Sequence, residues 1–413
     1  MSGHHNASSA EVAKPARTGT ELLGLRNRVA VLKALRRHGR LSHTELSDHT
    51  GLASATVSAI TSDLERAEVI EKSEQQAGSG RGRPRVLFAQ RRGSAYLIIV
   101  IISSDAIQYS LVDYAGKLID RFVEPRMQGR AGDFLAAIGA GLERVLDRSR
   151  IARDRVRAIS ISSKGLVAAD APVLRWSPVL GTEQVDFEAG LKPLWGARLS
   201  LSNETLLVAS ALGQQQQASA AGFTGVTALS LGHSIGLGIA TARPAGEIEV
   251  RAPNFGHMLH VPNGALCRCG ARGCVEAYAG LYGILRTAFE VPLDTIPAKF
   301  VPIPEVDKLA ASARSGNRMA NYAFRVAGQA LGFGLSRVFS LNSHMPVAIT
   351  GPGARYFDLM RAGMEEGLSQ SQVVRMEGMP ILSVVPDEPQ LVFQGHLERA
   401  MALVDEDIVM SAT

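Results

Sequence analysis

All three cysteines of the chain, Cys267, Cys269 and Cys274, fall inside the short run CRCGARGC. His257 stands ten residues before the first of them, in FGHMLHVPNGALC. Three thiolates and one imidazole make a Cys3His set, a standard tetrahedral zinc environment. Gly270 and Gly273 let the loop fold back so that the sulfurs converge. Four protein ligands leave no open coordination position, so the expected cofactor is a structural Zn2+ with no catalytic duty.

A second chemistry is written in charge. The 413 residues carry a net charge of +5. Residues 1–92 hold 15 Lys and Arg against 9 Asp and Glu, hence +6, and the remainder holds 29 against 30, hence −1. An excess confined to the first quarter points to a nucleic-acid-binding head on a near-neutral body.

The head reads as three helices and a hairpin. Val29, Leu32 and Leu35 mark a helix over Asn27 to His38 that Gly39 ends. Ser42 is placed to cap the short helix HTELSDHT, and Gly51-Leu52 makes the turn. From about Ser54 to Ala67, Val57, Ile60 and Leu64 form a buried stripe. Ser54, Ala55, Thr56, Ser58, Ala59, Ser62 and Arg66 supply the candidate reading face, small enough to approach base edges in a major groove. Ala53 occupies the usual cap position, and Ser54 is expected to cap one residue later. Beyond it, EKSEQQAGSGRGRPRVLF reads as a β-wing whose Arg81, Arg83 and Arg85 suit phosphates or a minor groove.

The organisation expected is a flexible tail (1–20), a winged helix-turn-helix (21–92), and two α/β halves (93–213 and 214–413). No apolar run approaches a membrane span, and the first residues lack the core of a signal peptide, so a cytoplasmic, nucleoid-associated protein is expected. In the body, AYLIIVIIS and IQYSLVDYAGKLIDRFVEP read as a three-strand meander turning at Ala115-Gly116, followed by a helix over 133–148 and the strand VRAISISS. A second pass starts at VTALSLGHSIGLGIATA and returns to the strand VAITG. The repeated α/β layout fits an actin-like, sugar-kinase-type fold of ribonuclease H-like halves.

The run FGHMLHVPNGALCRCGARGCVEAYAG resembles the zinc signature of the ROK family of repressors, open reading frames and sugar kinases. ISSKGLVAADAPVLRWSPVLG and LSLSNETLLVASALG follow in that family's order, and TELSDHTGLASATVSAITSDLERAEVIEK with GRGRPR resembles the head of its repressor branch. The likeness spans residues 24–402. It implies an effector site built from Asn203, Glu204, Asn254, His257 and Glu276, where the family's Glu is replaced at Asn254. Lys164 stands where a Pro is usual and Val179 where an Asn is common, which motivates an anionic ligand such as a sugar phosphate beside the neutral sugar. The competing reading of Asn203 and Glu204 is that they only cap the following helix.

The same likeness argues against phosphoryl transfer. Kinases of the family place glycine-rich turns against ATP phosphates, where backbone N–H groups must approach closely. Here Ser103-Ser104-Asp105 replaces the first turn, Gly232-His233-Ser234 alters the second, and Gly351-Pro352 the third. Glu204 stands at the position of the catalytic Asp. The leading expectation is a dimeric or tetrameric repressor of carbohydrate-related genes that binds a palindromic double-stranded DNA operator. The alternatives are a sugar kinase with an accessory head, and a protein-interaction switch with no small-molecule effector.

Overall fold

The computed structural model describes residues 19–75, 85–103, 106–126, 130–178, 180–181, 183–219, 222–244, 247–298 and 300–411. They form two compact units, one of residues up to Ser94 together with those from Ala402 onward, the other of Ala95–Met401.

The head unit opens with α1 (Gly19–His38), which begins inside the stretch expected to be tail. Gly39, at φ 79°, ends it and donates to Leu35 O at 2.8 Å. Ser42 caps α2 (His43–Thr50) in a reciprocal box with Glu45, and Gly51 closes that helix in the left-handed region. In α3 (Ser54–Arg66) Val57, Ile60, Thr61 and Leu64 are buried. The wing strands β1 (Ile70–Gln75) and β2 (Arg85–Gln90) pair antiparallel, and Phe88 bridges back to Leu41.

The body holds two five-stranded sheets with one topology. In the first, β3 (Tyr96–Ile102), β4 (Ala106–Asp113) and β5 (Leu118–Pro125) form the expected antiparallel meander, with Gly116 at φ 84° in the turn between β4 and β5. α4 (Ala131–Ser149) leads to β6 (Val156–Ser163), parallel to β3. A small sheet of β7 (Leu166–Val167), β8 (Val173–Trp176) and β9 (Val185–Asp186), then α5 (Phe187–Leu191), precede β10 (Arg198–Asn203), parallel to β6. α6 (Glu204–Ser219) follows.

The second half repeats the plan. β11 (Gly225–Ser230), β12 (Gly236–Ala242) and β13 (Ile248–Arg251) are antiparallel. α7 (Glu276–Ala279), α8 (Leu281–Ala288), α9 (Ile303–Arg314) and α10 (Arg318–Leu341) lead to β14 (Val347–Thr350), parallel to β11. α11 (Phe357–Ser369), α12 (Gln372–Glu377), β15 (Leu382–Val384) and α13 (Glu388–Ser411) complete the chain. The strand orders β10-β6-β3-β4-β5 and β15-β14-β11-β12-β13 correspond strand for strand, which is the duplication expected. Leu97 to Val100 have no solvent exposure, so this first strand is covered on both faces and reads as a continuous apolar run.

The last turns of α13 belong to the head unit. There Asp405, fully buried, accepts two hydrogen bonds from Arg36 of α1, at 2.7 and 2.9 Å.

Candidate functional site

On the head, Ser54, Ala55, Ser58, Ala59, Ser62 and Arg66 are exposed on α3 and Thr56 is half-buried. The expected cap at Ser54 does not form: α3 starts after Ala53 with no side-chain cap bond, because Ser54 is already its first helical residue. The amides of the first turn therefore point outward without a side-chain acceptor. Thr61, which the sequence reading passed over, is buried and receives His43 Nε2 contact at 2.9 Å, fixing α2 against α3. Its hydroxyl also donates to Val57 O at 3.0 Å. Arg66 pairs with Asp63 at 3.2 Å, and Asp63 in turn with Arg28 at 3.1 Å. Arg81 and Arg83 lie outside the described residues, and Arg85 opens β2 with its side chain likewise outside them.

The four expected metal ligands converge. The ligating atoms of His257, Cys267, Cys269 and Cys274 lie within 4.8 Å of one another. His257 Nδ1 is 3.5 Å from Cys267 Sγ, and Cys269 Sγ is 3.7 Å from Cys274 Sγ. Tetrahedral ligands at ordinary zinc distances would be about 3.6 Å apart for N and S and about 3.8 Å for two sulfurs. The donor set and its spacing fit a tetrahedral ion.

Local structure builds the loop. Gly270 (φ 87°) and Gly273 (φ 79°) occupy the left-handed region, and a Cβ on Gly273 would lie 1.7 Å from Val261 O. Tyr278 Oη accepts from Ala265 N at 3.0 Å. The hydrogen bond from Cys274, then those from His257 and Tyr282, holds the Cys267 thiol down at about 3 against the effect of burial. Cys274 is pushed up, first by that same contact.

A cavity of about 370 Å³ in the body is lined by Lys164, Asn203, Glu204, Asn254, His257 and Glu276 among others. It gathers all five candidate effector residues, which come from the end of β10, the start of α6, the metal loop and α7. His257 joins the cavity to the metal cluster, with its ring edge-on to Trp176 at 5.0 Å between centroids. Glu276 is buried; its Oε2 accepts from Ile235 N at 3.2 Å, while Oε1 has no hydrogen-bond partner among the described residues. Burial pushes this carboxyl up to about 7, with His257 pulling the other way. A buried oxygen on a cavity wall takes its donor from whatever fills the cavity, water included.

Asn203 is largely committed to the fold. Its Oδ1 accepts from Thr205 N at 2.9 Å and Thr205 Oγ1 at 2.6 Å, and its Nδ2 donates to Gly165 O at 2.7 Å. It caps α6 and ties that helix to the turn after β6, so its helix-capping role is real.

Lys164 does not present a spare charge. Its Nζ is 3.6 Å from Glu204 Oε2. Burial alone would lower Lys164, but Glu204 and then Glu388 more than offset it and raise it, with Glu276 adding to them. Burial raises Glu204 while Lys164 pulls it back. The same two residues also line a neighbouring cavity of about 340 Å³, with Ser103, Gln108, His233, Phe300 and Glu388. Ser104 and Asp105 lie outside the described residues. His233 is stacked on Phe300 with centroids 4.9 Å apart and bonds Val301 O at 2.8 Å. Gly351 and Gly353 are packed onto the Leu231 backbone, where a Cβ would meet Leu231 O at 2.5 and 3.0 Å.

Among the described residues no helix is long and apolar enough to cross a membrane. Residues 25–71 match a winged helix-turn-helix DNA-binding family, and residues 102–381 match the ROK family. A "Putative xylose repressor" of Caldicellulosiruptor sp. (strain Rt8B.4) is 24% identical over 326 residues, covering 76% of this chain and 80% of that protein. The "DNA-binding transcriptional repressor Mlc" of Escherichia coli (strain K12) is 22% identical, covering 92% of this chain and 93% of its own. A solved ROK family transcriptional regulator, described as a homolog of E. coli MLC, superimposes with TM-score 0.73 at 21% identity over 94% of this chain and 99% of its own. A ROK family glucokinase from Streptomyces griseus, solved with glucose and AMPPNP, reaches TM-score 0.53 at 21% identity, covering 74% of this chain and 99% of its own. These two share the fold of the body, one as a regulator and one as an enzyme. With its two-sheet body, its Cys3His loop and a match running from the end of β3 to the residue before β15, this chain belongs to the ROK family.

Proposed function

We propose that this protein is a sugar-responsive transcriptional repressor that binds double-stranded DNA through α3 and the wing and performs no phosphoryl transfer. One observation carries the reading. The cavity keeps a buried carboxyl oxygen without a partner at Glu276, while the carboxylate at the position of the kinase base, Glu204, is paired with Lys164. A sugar hydroxyl both donates and accepts and so satisfies the first group. Burial raises Glu204, so what unfits it as a kinase base is position: its Oε2 faces the Lys164 ammonium, and a longer side chain than Asp sets the carboxylate elsewhere. At His233, in the altered second turn, the imidazole is stacked on Phe300, and Glu388 lines the same cavity, so a carboxylate stands where a triphosphate would need positive charge or amides.

The charge census favours an uncharged sugar over a sugar phosphate. Lys164 faces Glu204, Glu388 and Glu276, so the anionic ligand suggested by its sequence position would meet carboxylates around an ammonium already spent. Relatives named for xylose repression and for N-acetylglucosamine repression support the sugar class.

On the DNA side, the exposed small residues of α3 allow close approach to base edges, and its uncapped first turn offers amides to a phosphate. The protein acts as a homodimer or homotetramer whose two heads match a two-fold operator. His257, Cys267, Cys269 and Cys274 would hold a structural Zn2+, which when bound supplies only cross-linking of the loop. These residues then orient the cavity edge of His257 and the helix that starts with Glu276.

The test combines three measurements on the full chain. Genome-wide footprinting locates operators, calorimetry with a panel of aldoses and their phosphates reads the effector, and a coupled ADP-release assay reads turnover. Operator release by a neutral sugar without ADP release is expected. Turnover abolished by Glu204→Ala would overturn the regulator reading, and a protein that binds operator but no sugar would favour a protein partner as the effector.

A further inference from the structure

Two arginines stand against the ring of Tyr282, the second residue of α8. Arg268, between Cys267 and Cys269, has its guanidinium carbon 4.5 Å from the ring centroid. Arg286, one turn along α8, lies at 5.6 Å. The hydroxyl of the same ring donates to Cys267 Sγ at 3.5 Å. One side chain thus touches a metal ligand at its hydroxyl and carries two cations over its ring.

Neither arginine pairs with a carboxylate among the described residues. Arg286 is 6% exposed, and its terminal nitrogens donate to carbonyls, to Leu266 O at 3.0 Å and to Thr295 O at 2.9 Å. Arg268 Nε and Nη2 are shut off from solvent without a hydrogen-bond partner there. Glu276 lies within the electrostatic reach of Arg268 but forms no ion pair with it. Water can satisfy such N–H groups, yet two full positive charges beside one buried ring are costly unless an anion stands near.

That anion is at hand in the loop itself. Three thiolates and a divalent cation leave one net negative charge, which a neutral imidazole does not alter. Cys267 and Cys274 are buried, so this charge is poorly screened. A guanidinium over a tyrosine ring is held by the π face, and it polarises the ring so that the hydroxyl donates more strongly to sulfur. Leu266, whose carbonyl Arg286 holds, directly precedes Cys267, and its N–H is held in turn by Leu293 O at 2.7 Å.

We propose that Arg268 and Arg286 are the counter-charges of the metal centre. Arg268 acts through the Tyr282 hydroxyl as a positioning residue for Cys267, and Arg286 also pins the backbone where the loop begins. This rests on the reading of the loop as a divalent-metal site. A side chain that only packed on Tyr282 would supply shape; here the charge itself strengthens metal binding.

The experiment measures zinc affinity of the full chain, stripped with a chelator and titrated against a chromophoric competitor. Arg268→Met keeps an unbranched side chain on the ring and removes the charge. It is expected to weaken zinc binding about 10- to 100-fold, the usual cost of losing an outer partner of a metal ligand. Arg268→Lys restores the charge and should recover most of that loss. Stripped of metal, the Met variant should melt no lower than the stripped wild type, because the cation has then lost the centre it balances. Cobalt in place of zinc reports the ligand set by its visible absorption, which should be the same in all three proteins. Zinc held as tightly by Arg268→Met as by the wild type would overturn the proposal. So would an altered cobalt spectrum or a lower melting point of the stripped Met variant, since either makes Arg268 a support of shape. A wild-type chain that takes up no zinc overturns it together with the metal reading, whereas zinc binding indifferent to Arg268 leaves that reading intact. If Arg268→Met does not fold, Tyr282→Phe removes the hydroxyl between cation and sulfur. Zinc binding about tenfold weaker is then expected, and unchanged affinity overturns the proposal.

Discussion

His396 makes the anchoring of α13 measurable through pH. It is fully buried between two serine hydroxyls, and burial, with a smaller push from Arg399, lowers its pKa to about 3. The folded value lies below the unfolded value of about 6.5, so on acidification the unfolded chain takes the proton first. The contribution is therefore fully present above pH 6.5 and is lost progressively as pH falls towards 3. Between pH 7 and pH 5 the loss is about 2 kcal/mol, a figure that depends only on the folded value staying below 5. Glu276 works in the opposite sense: its folded value of about 7 lies above the unfolded one, so acidification through 7 relieves a destabilisation. The wild-type curve alone can then look flat. The perturbation is His396→Gln, which keeps donors and acceptors for Ser160 and Ser162 but cannot titrate. Both tryptophans, Trp176 and Trp195, sit in the body unit, so urea denaturation followed by their fluorescence reads this unit. The wild type should lose about 2 kcal/mol of its advantage over the variant between pH 7 and pH 5, equivalent to about 3 °C in Tm for a unit of this size. A stability gap that stays constant across that range would refute the reasoning.

Three further outcomes are expected. Gly273→Ala forces a Cβ onto Val261 O in a left-handed backbone and should cost more than about 2 kcal/mol and lower any metal content found for the wild type by elemental analysis; wild-type metal content with native stability would contradict the loop geometry. Asn203→Ala removes the α6 cap and the bond to Gly165 O, together about 2 kcal/mol, and a shift below about 0.5 kcal/mol in the body transition would show the bracing to be unimportant. Arg66→Ala should weaken binding to all duplexes alike and lower the slope of log K against log salt by about 1, and an unchanged slope would remove Arg66 from the phosphate contacts.

Much of the architecture is legible because it is local. The capping box at Ser42 and Glu45, the α3 stripe of Val57, Ile60 and Leu64, and the turn at Gly116 all follow from neighbours within a few residues. The cap at Ser54 was misjudged because a single residue of helix phase separates capping from helical geometry. The start of α1 at Gly19 was hidden because Leu22, Leu23 and Leu25 stand beside two glycines, which read as breakers and not as part of a helical repeat. Thr61 escaped notice because a threonine in a helix gives no sign of whether it is buried.

By itself the sequence determined the donor set of the metal loop, the basic head and the duplicated α/β order, since cysteine spacing, charge and hydrophobic period are properties of short segments. Only the tertiary structure decided what Lys164 and Asn203 do and where the last turns of α13 belong. Lys164 meets Glu204 and the field of Glu388, Asn203 meets Gly165, and Asp405 meets Arg36, all across long stretches of chain. The physical reason is that a buried charge or amide takes its meaning from the partner that desolvation forces on it, and no local pattern names that partner.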